Sequence, residues 1–218
     1  MKQLTNYQRV TGYLVKVFKA INTEYFDGQL ETPEITVQST VGAYGHITTT
    51  KVWVDNKNEV ARYELNVGAD YLARPIENVV ATLIHEATHL YCMMNGIKDT
   101  SMNGIYHNKR FKEIAEGKGK LSISKHERYG WTITEPTEDT IQFCIDYGFE
   151  DIQITRQTAY SFISIGGDKS ADGHKTTKPV NRNSHSIKWV CPCCGDSVRS
   201  TKIVNIICGD CNVPFERA

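Results

Sequence analysis

Two groups of residues in this chain have the types and spacing to hold a metal ion. The first is His85-Glu86-Ala87-Thr88-His89. Residues four apart on a helix stand slightly more than one turn along, so both imidazoles leave the same side and close on one ion. Glu86 lies about 100° around from His85, beside such an ion rather than on it. There it is placed as a general base toward a water activated by the metal, and as the proton's carrier to a leaving amine. Zinc suits two imidazoles and a third protein ligand, with one position kept for water. The candidates for the third ligand are His107, Glu113, Glu116, His126 and His46. His107 opens His107-Asn108-Lys109-Arg110-Phe111, and a helix–loop–helix return of that length reaches the first helix; Glu113 would complete a two-His-one-Glu set. The plainer alternative is a helix whose polar face happens to carry His-Glu-His.

The second group is Cys191-Pro192-Cys193-Cys194 followed by Cys208-Gly209-Asp210-Cys211. Cys191 with Cys194 and Cys208 with Cys211 form two C-x-x-C turns separated by thirteen residues, room for a β-hairpin whose one arm is the apolar run Ile203–Ile207. Cys193 is then the spare thiol. Four thiolates make a closed structural zinc site, and a fold of about 30 residues buries too little core to stand without such a clamp. A redox pair is the alternative. Lys188, Trp189, Arg199, Lys202 and Arg217 could meet phosphates and stack on a base, unless they are a solvated face with Trp189 packed over the module.

Several elements must position these groups. Tyr7, Val10, Tyr13, Leu14, Val17, Phe18, Ile21 and Tyr25 recur at helical spacing and predict an amphipathic helix over 4–26, stopped by Asp27-Gly28. Short β stretches follow at 35–38, 45–49 and 63–67, expected as a small antiparallel sheet; the last would either pair with an extended substrate or lie inside the sheet. The His-Glu helix opens at Pro75 and ends at Asn95-Gly96. A third helix is expected over about 106–115, strands at 131–133 and 152–154, and a helix at 138–146. Residues 165–186 are polar and nearly free of apolar side chains, as a linker is. The expected class is α+β, with helices packed on a small sheet in residues 1–164 (118–164 without an assigned role), a linker at 165–186 and a zinc ribbon at 187–218.

The whole chain is 218 residues, 40% apolar and formally neutral, so global charge selects neither nucleic acid nor membrane. Residues 165–218 carry 8 basic and 5 acidic residues, a mild excess compatible with a polyanion. Residues 1–10 lack the apolar core of a signal peptide, and no apolar run approaches the ~18 residues of a membrane span. Five of seven cysteines crowd into 191–211, a metal-binding rather than a disulfide pattern. The expected location is the cytoplasm, with no membrane partner. Cys92 reads as a small buried residue, Trp53 and Trp131 as core or edge residues, and Tyr91 or Tyr106 as packing residues that could also donate to a tetrahedral intermediate.

In these motifs the chain resembles the SprT-like metalloprotease family, which includes bacterial and phage proteins and the eukaryotic protease Spartan. Ile21-Asn22-Thr23-Glu24-Tyr25-Phe26 with Leu30 is similar to the end of the family's first helix, Ile84-His85-Glu86-Ala87-Thr88-His89 to its zinc helix, and His107 with Phe111 four residues on to its third-ligand motif; a zinc ribbon closes many members. The resemblance covers residues 5–117 and 187–216. It implies a zincin-like fold, zinc on His85, His89 and His107, Glu86 as the catalytic residue, and a second zinc on Cys191, Cys194, Cys208 and Cys211. It further implies a zinc endopeptidase acting on DNA-associated or loosely folded proteins, with DNA, single-stranded or crosslinked to protein, contacted through the ribbon. The family's large aromatic after the zinc helix is replaced by Tyr91-Cys92-Met93-Met94, and 118–164 has no counterpart. Two other expectations stand beside this one: a non-catalytic nucleic-acid-binding or regulatory protein, and a peptidase dedicated to one regulatory protein.

Overall fold

The structure is a computed structural model that describes residues 4–40, 42–156, 187–200 and 203–217. The chain divides into two compact units, Met1–Gly167 and Asp168–Ala218. The expected linker at 165–186, with Lys175, Lys178 and Arg182, lies outside the described residues, as does Lys202. The described residues form an α+β protein with four α-helices and several small sheets.

Helix α1 spans Tyr7–Phe26. Asn6 caps it by accepting the Gln8 amide, and Asp27 ends it in the left-handed region. Its inner stripe of Val10, Leu14, Val17, Phe18, Ile21 and Phe26 is fully buried, each side chain worth about 1.5–3 kcal/mol of burial. The stripe packs on helix α2, Ile76–Met94, which is buried on most of its circumference. Pro75 precedes α2 as its cap residue. The Ile76 amide, an orphan donor of the first turn, finds Asp151 Oδ1 at 2.8 Å.

The first sheet orders its strands β1 (Glu34–Gln38), β5 (Glu64–Gly68) and β2 (Gly45–Ile47). It is mixed rather than antiparallel: β1 runs parallel to β5, and β2 antiparallel to it. The intervening hairpin β3 (Trp53–Asp55) and β4 (Val60–Arg62), unforeseen from the sequence, lengthens the connection enough for the parallel pairing. β5 is therefore the internal strand, and β1 and β2 are the two edges; β2 is the edge beside Glu86 on α2. Asn66 on β5 is wholly buried because all of its polar atoms are used. It accepts the Gln38 amide at 2.8 Å and donates to Thr40 Oγ1 at 2.9 Å and to the Gln38 carbonyl at 3.2 Å.

The second sheet orders β6 (Thr100–Ser101), β7 (Tyr106–His107), β9 (Gly130–Glu135) and β8 (Ser122–His126). Helices α3 (Lys109–Gly117) and α4 (Glu138–Asp146) complete the unit. α4 matches its expected span, whereas residues 152–154 form no strand; Gln153 instead donates its amide to the Leu4 carbonyl at 3.1 Å. The part of 118–164 that is described, to residue 156, belongs to the same core: Leu121, Ile123, Phe143, Phe149 and Ile152 are buried with the α1 and α2 stripes.

In the second unit β10 (Ile187–Val190) lies between β11 (Ser197–Ser200) and β12 (Glu216–Arg217), antiparallel to both. The arm opposite β10 is thus Ser197–Ser200. Ile203–Ile206 form no strand, and Ile207 makes a single bridge to Pro214. No helix among the described residues is long and apolar enough to cross a membrane.

Candidate metal centres

His85 and His89 project from the middle of α2. His107 reaches them from β7 rather than from the start of a helix, a correction with a local cause. Asn108 accepts the Arg110 and Phe111 amides at 2.8 and 3.3 Å and so begins α3 after itself. His107 is left extended, its amide donating to the Tyr129 carbonyl at 2.9 Å. At that level β7 meets β9, with His107 opposite Gly130. Gly130 has φ of +73°, and a Cβ there would stand 2.2 Å from the His107 carbonyl oxygen and 2.8 Å from the Tyr106 ring. Only glycine permits this approach.

The three Nε2 atoms converge: 3.2 Å from His85 to His89, 3.3 Å from His85 to His107 and 3.0 Å from His89 to His107. Nitrogens bound at 2.0–2.1 Å on a tetrahedral zinc stand about 3.3 Å apart, so the spacing fits an ion held by all three. The opposite ring nitrogens are set by partners that the sequence did not point to. His89 Nδ1 donates to the buried Asp99 carboxylate at 2.5 Å. His85 Nδ1 lies 2.7 Å from Thr134 Oγ1, and that hydroxyl donates to the Thr132 carbonyl at 3.2 Å. A hydroxyl has one proton, so Thr134 accepts from His85, and the His85 Nε2 lone pair faces inward. His107 Nδ1 is buried with no hydrogen bond of normal geometry. Phe111, fully buried, backs the cluster with its ring centre 4.6, 4.5 and 4.8 Å from those of His85, His89 and His107.

Burial, with the neighbouring imidazoles adding, holds His85 well below the usual histidine range. Burial and His89 bring His107 to about 4, against opposing pulls from the Tyr129 carbonyl and the Asp99 charge. Both rings are therefore neutral at neutral pH, the form in which an imidazole can bind a metal. Glu86 is 5% exposed and faces the first sheet, where the Ile47 amide donates to it. Burial raises it to about 7, opposed by His89 and by that amide. A cation held by the imidazoles would lower it again.

The rival ligands are elsewhere. His46 is exposed on β2, His126 Nδ1 accepts the Arg128 amide at 3.1 Å, and Glu116 pairs with Lys112. Of the two tyrosines, Tyr91 packs on Phe26 with Lys118 over its ring, and Tyr106 lies against Gly130. Cys92 is buried, and burial, with the Asp99 charge adding, pushes its thiol up to about 12. Asp99 ten residues past His89 carried no motif. Thr134 lies in a stretch with no assigned role. The Asn108 cap, by contrast, was readable as an asparagine before a helical run.

In the second unit the ligand atoms of Cys191, Cys194, Cys208 and Cys211 all lie within 4.8 Å of one another, and Cys193 is exposed. Cys194 and Cys208 sulfurs are 3.7 Å apart, close to the roughly 3.8 Å edge of a tetrahedral zinc–thiolate set. The two turns repeat one geometry. Cys191 O accepts the Gly195 amide at 3.0 Å, and Cys208 O accepts the Asn212 amide at 2.8 Å. Cys191 N donates to Asp196 O at 2.8 Å, and Cys208 N to Val213 O at 2.9 Å. Gly195 and Asn212, four residues past each first cysteine, both have positive φ, 79° and 53°. The amides of Cys194 and Cys193 donate to the Cys191 sulfur and draw it down to about 7 against burial. Trp189 is buried, its indole donating to Ser200 Oγ at 2.8 Å, so it packs within the module rather than offering a stacking face. Lys188 and Arg217 are exposed.

Compared with known proteins, the chain matches no family model, no curated protein and no solved structure.

Proposed function

We propose that this chain is a zinc-dependent endopeptidase of the SprT-like, zincin type with a C-terminal zinc ribbon. The observation that carries the reading is the convergence of three Nε2 atoms at 3.0–3.3 Å, with a buried carboxylate on the residue next to one of them. A purely structural ion needs no acid–base group beside it. His85, His89 and His107 would hold one zinc, and Cys191, Cys194, Cys208 and Cys211 a second. Bound at the histidines, zinc supplies a Lewis acid for the scissile carbonyl and lowers the pKa of a water.

The chain's own residues do the rest. Asp99 and Thr134 fix two imidazoles in the tautomer that turns Nε2 inward. Glu86 takes the proton of the attacking water and returns it to the leaving amine. The free side of β2, next to Glu86, offers backbone groups to an extended peptide; a loosely folded protein meets that need. The resemblance to Spartan supports DNA-associated proteins as substrates, with Lys188 and Arg217 on the ribbon as phosphate contacts.

The test is cleavage of a flexible protein by zinc-loaded chain, with and without single-stranded DNA, beside Glu86→Gln. The variant should keep its fold and zinc while its rate falls at least about 10²-fold. Equal cleavage by the purified variant overturns the reading. Cleavage indifferent to DNA retains the peptidase and removes DNA as its guide.

A further inference from the structure

Arg74 is a half-buried cation that the histidine cluster does not use. Its Nε donates to the Tyr71 carbonyl at 2.9 Å and its Nη2 to Thr82 Oγ1 at 3.0 Å, leaving three of the five guanidinium donors unassigned. The Tyr44 ring centre lies 4.1 Å from the guanidinium carbon, within cation–π range. Tyr44 is in turn braced edge-on by Tyr71, with centroids 4.8 Å apart at 89°. The head group is thus oriented by three neighbours. Among the described residues no carboxylate stands within ion-pair distance of it. Asp70 is nearby in sequence but does not reach it, and Asp70 Oδ1 is itself buried without a partner. Burial lowers the proton affinity of Arg74, the mark of a charge taken partly out of water without a counter-ion.

The position of this cation matters more than its burial. Thr82, which holds it, lies one helical turn before Glu86 on α2. A Cβ on Gly45 would stand 3.0 Å from Thr82 Cγ2 and 3.5 Å from Glu86 Cγ. Arg74, Thr82, Gly45 and Glu86 therefore form one contiguous row, and Tyr44 is the residue that leads into β2. A peptide laid along the free side of β2, with its reacting carbonyl at Glu86, runs past this row. The guanidinium is bonded to Thr82, one helical turn or about 5.4 Å along α2 from Glu86, and so is within reach of a side chain near the bond that is cut.

We infer that Arg74, backed by Tyr44 and held by Thr82, is a specificity subsite for the carboxylate of a substrate aspartate or glutamate near the scissile bond. The inference rests on the peptidase reading for the direction of the peptide, but its chemistry is a binding preference and is measured as one. An arginine fixed by two hydrogen bonds presents its remaining N–H groups as a fork, the arrangement that suits a planar carboxylate.

The experiment uses the full chain carrying Glu86→Gln, loaded with zinc, and fluorescent peptides blocked at both ends. The peptides differ by one glutamate or glutamine at each position in turn, and anisotropy reads binding without turnover. One position should favour glutamate by about tenfold or more. Adding Arg74→Gln should abolish that preference while binding of the glutamine peptide is unchanged. Tyr44→Ala, which leaves the charge in place but removes its backing, should weaken the preference several-fold and guards against a folding defect in the Arg74 variant. Equal binding of both peptides at every position, or a glutamate preference that survives Arg74→Gln, overturns the inference. The wild-type chain is assayed for cleavage of the same peptides. Cleavage without a glutamate preference removes the subsite alone, and preference without cleavage supports the subsite while removing the peptidase reading.

Discussion

The histidine and cysteine groups reach similar ligand spacings by opposite means. The cysteine group is made locally, from one turn used twice, with the same two backbone hydrogen bonds and the same left-handed residue after each first cysteine. The histidine group is distributed. It needs a long helix for two rings, a two-residue strand for the third, Asp99 ten residues past His89 and Thr134 forty-nine residues past His85. It also leans on Phe111 and the core behind it. A local site is cheap to encode but has little beneath it. A distributed site stands on structure that exists for other reasons.

Removing metal should expose that difference most strongly. Chelation is expected to unfold the cysteine module, because structural zinc contributes about 10–16 kcal/mol in small metal-nucleated folds. The same treatment should leave α1 and α2 protected by their buried stripes. Hydrogen exchange followed by mass spectrometry reads both regions in one sample; protection retained across 187–217 after zinc is gone would erase the contrast. Next in size, Asp99→Asn should weaken metal at the histidines about 10–100-fold with the second equivalent untouched, as read by competition with a chromogenic chelator. If both sites weaken together, the two are not independent. The smallest effect tests the repeat itself. Gly195→Ala forces a Cβ into the left-handed region and should cost about 1–2 kcal/mol, whereas Asn212→Gly should be neutral or slightly stabilising. A thermal melt of the zinc-loaded chain in which both changes behave alike would mean the turns are alike only in outline.

The same contrast explains what was legible in the sequence. His85, Glu86 and His89 declare themselves because a helix converts spacing into direction, and the cysteine turns do so because two intervening residues define a knuckle. The stripe of α1 and the span of α4 follow from periodicity. Thr134 and Asp99 have no such signature: their roles exist only after β9 and the loop beyond α2 have folded against the histidines. Tyr106–Ala115 reads as one helical run that includes His107, but the Asn108 side chain decides where the helix begins. The parallel pairing of β1 with β5 was hidden for a related reason. The connection between them contains a hairpin of two three-residue strands, Trp53–Asp55 and Val60–Arg62, too short for alternation to show in the sequence. Apolar content misled in the other direction at Ile152–Ile154, where Ile152 is buried without joining any strand.

Gly130 extends this lesson to tolerance of mutation. It bears no side chain, binds no ion and moves no proton, yet a single added carbon would collide with the backbone of the residue that supplies the third imidazole. A survey of all single substitutions scored by function would therefore rank position 130 beside the histidines, and an observer without the structure would credit it with chemistry. What such a ranking measures there is clearance: the smallest side chain in the alphabet has become as indispensable as a ligand because the space it leaves empty is already taken.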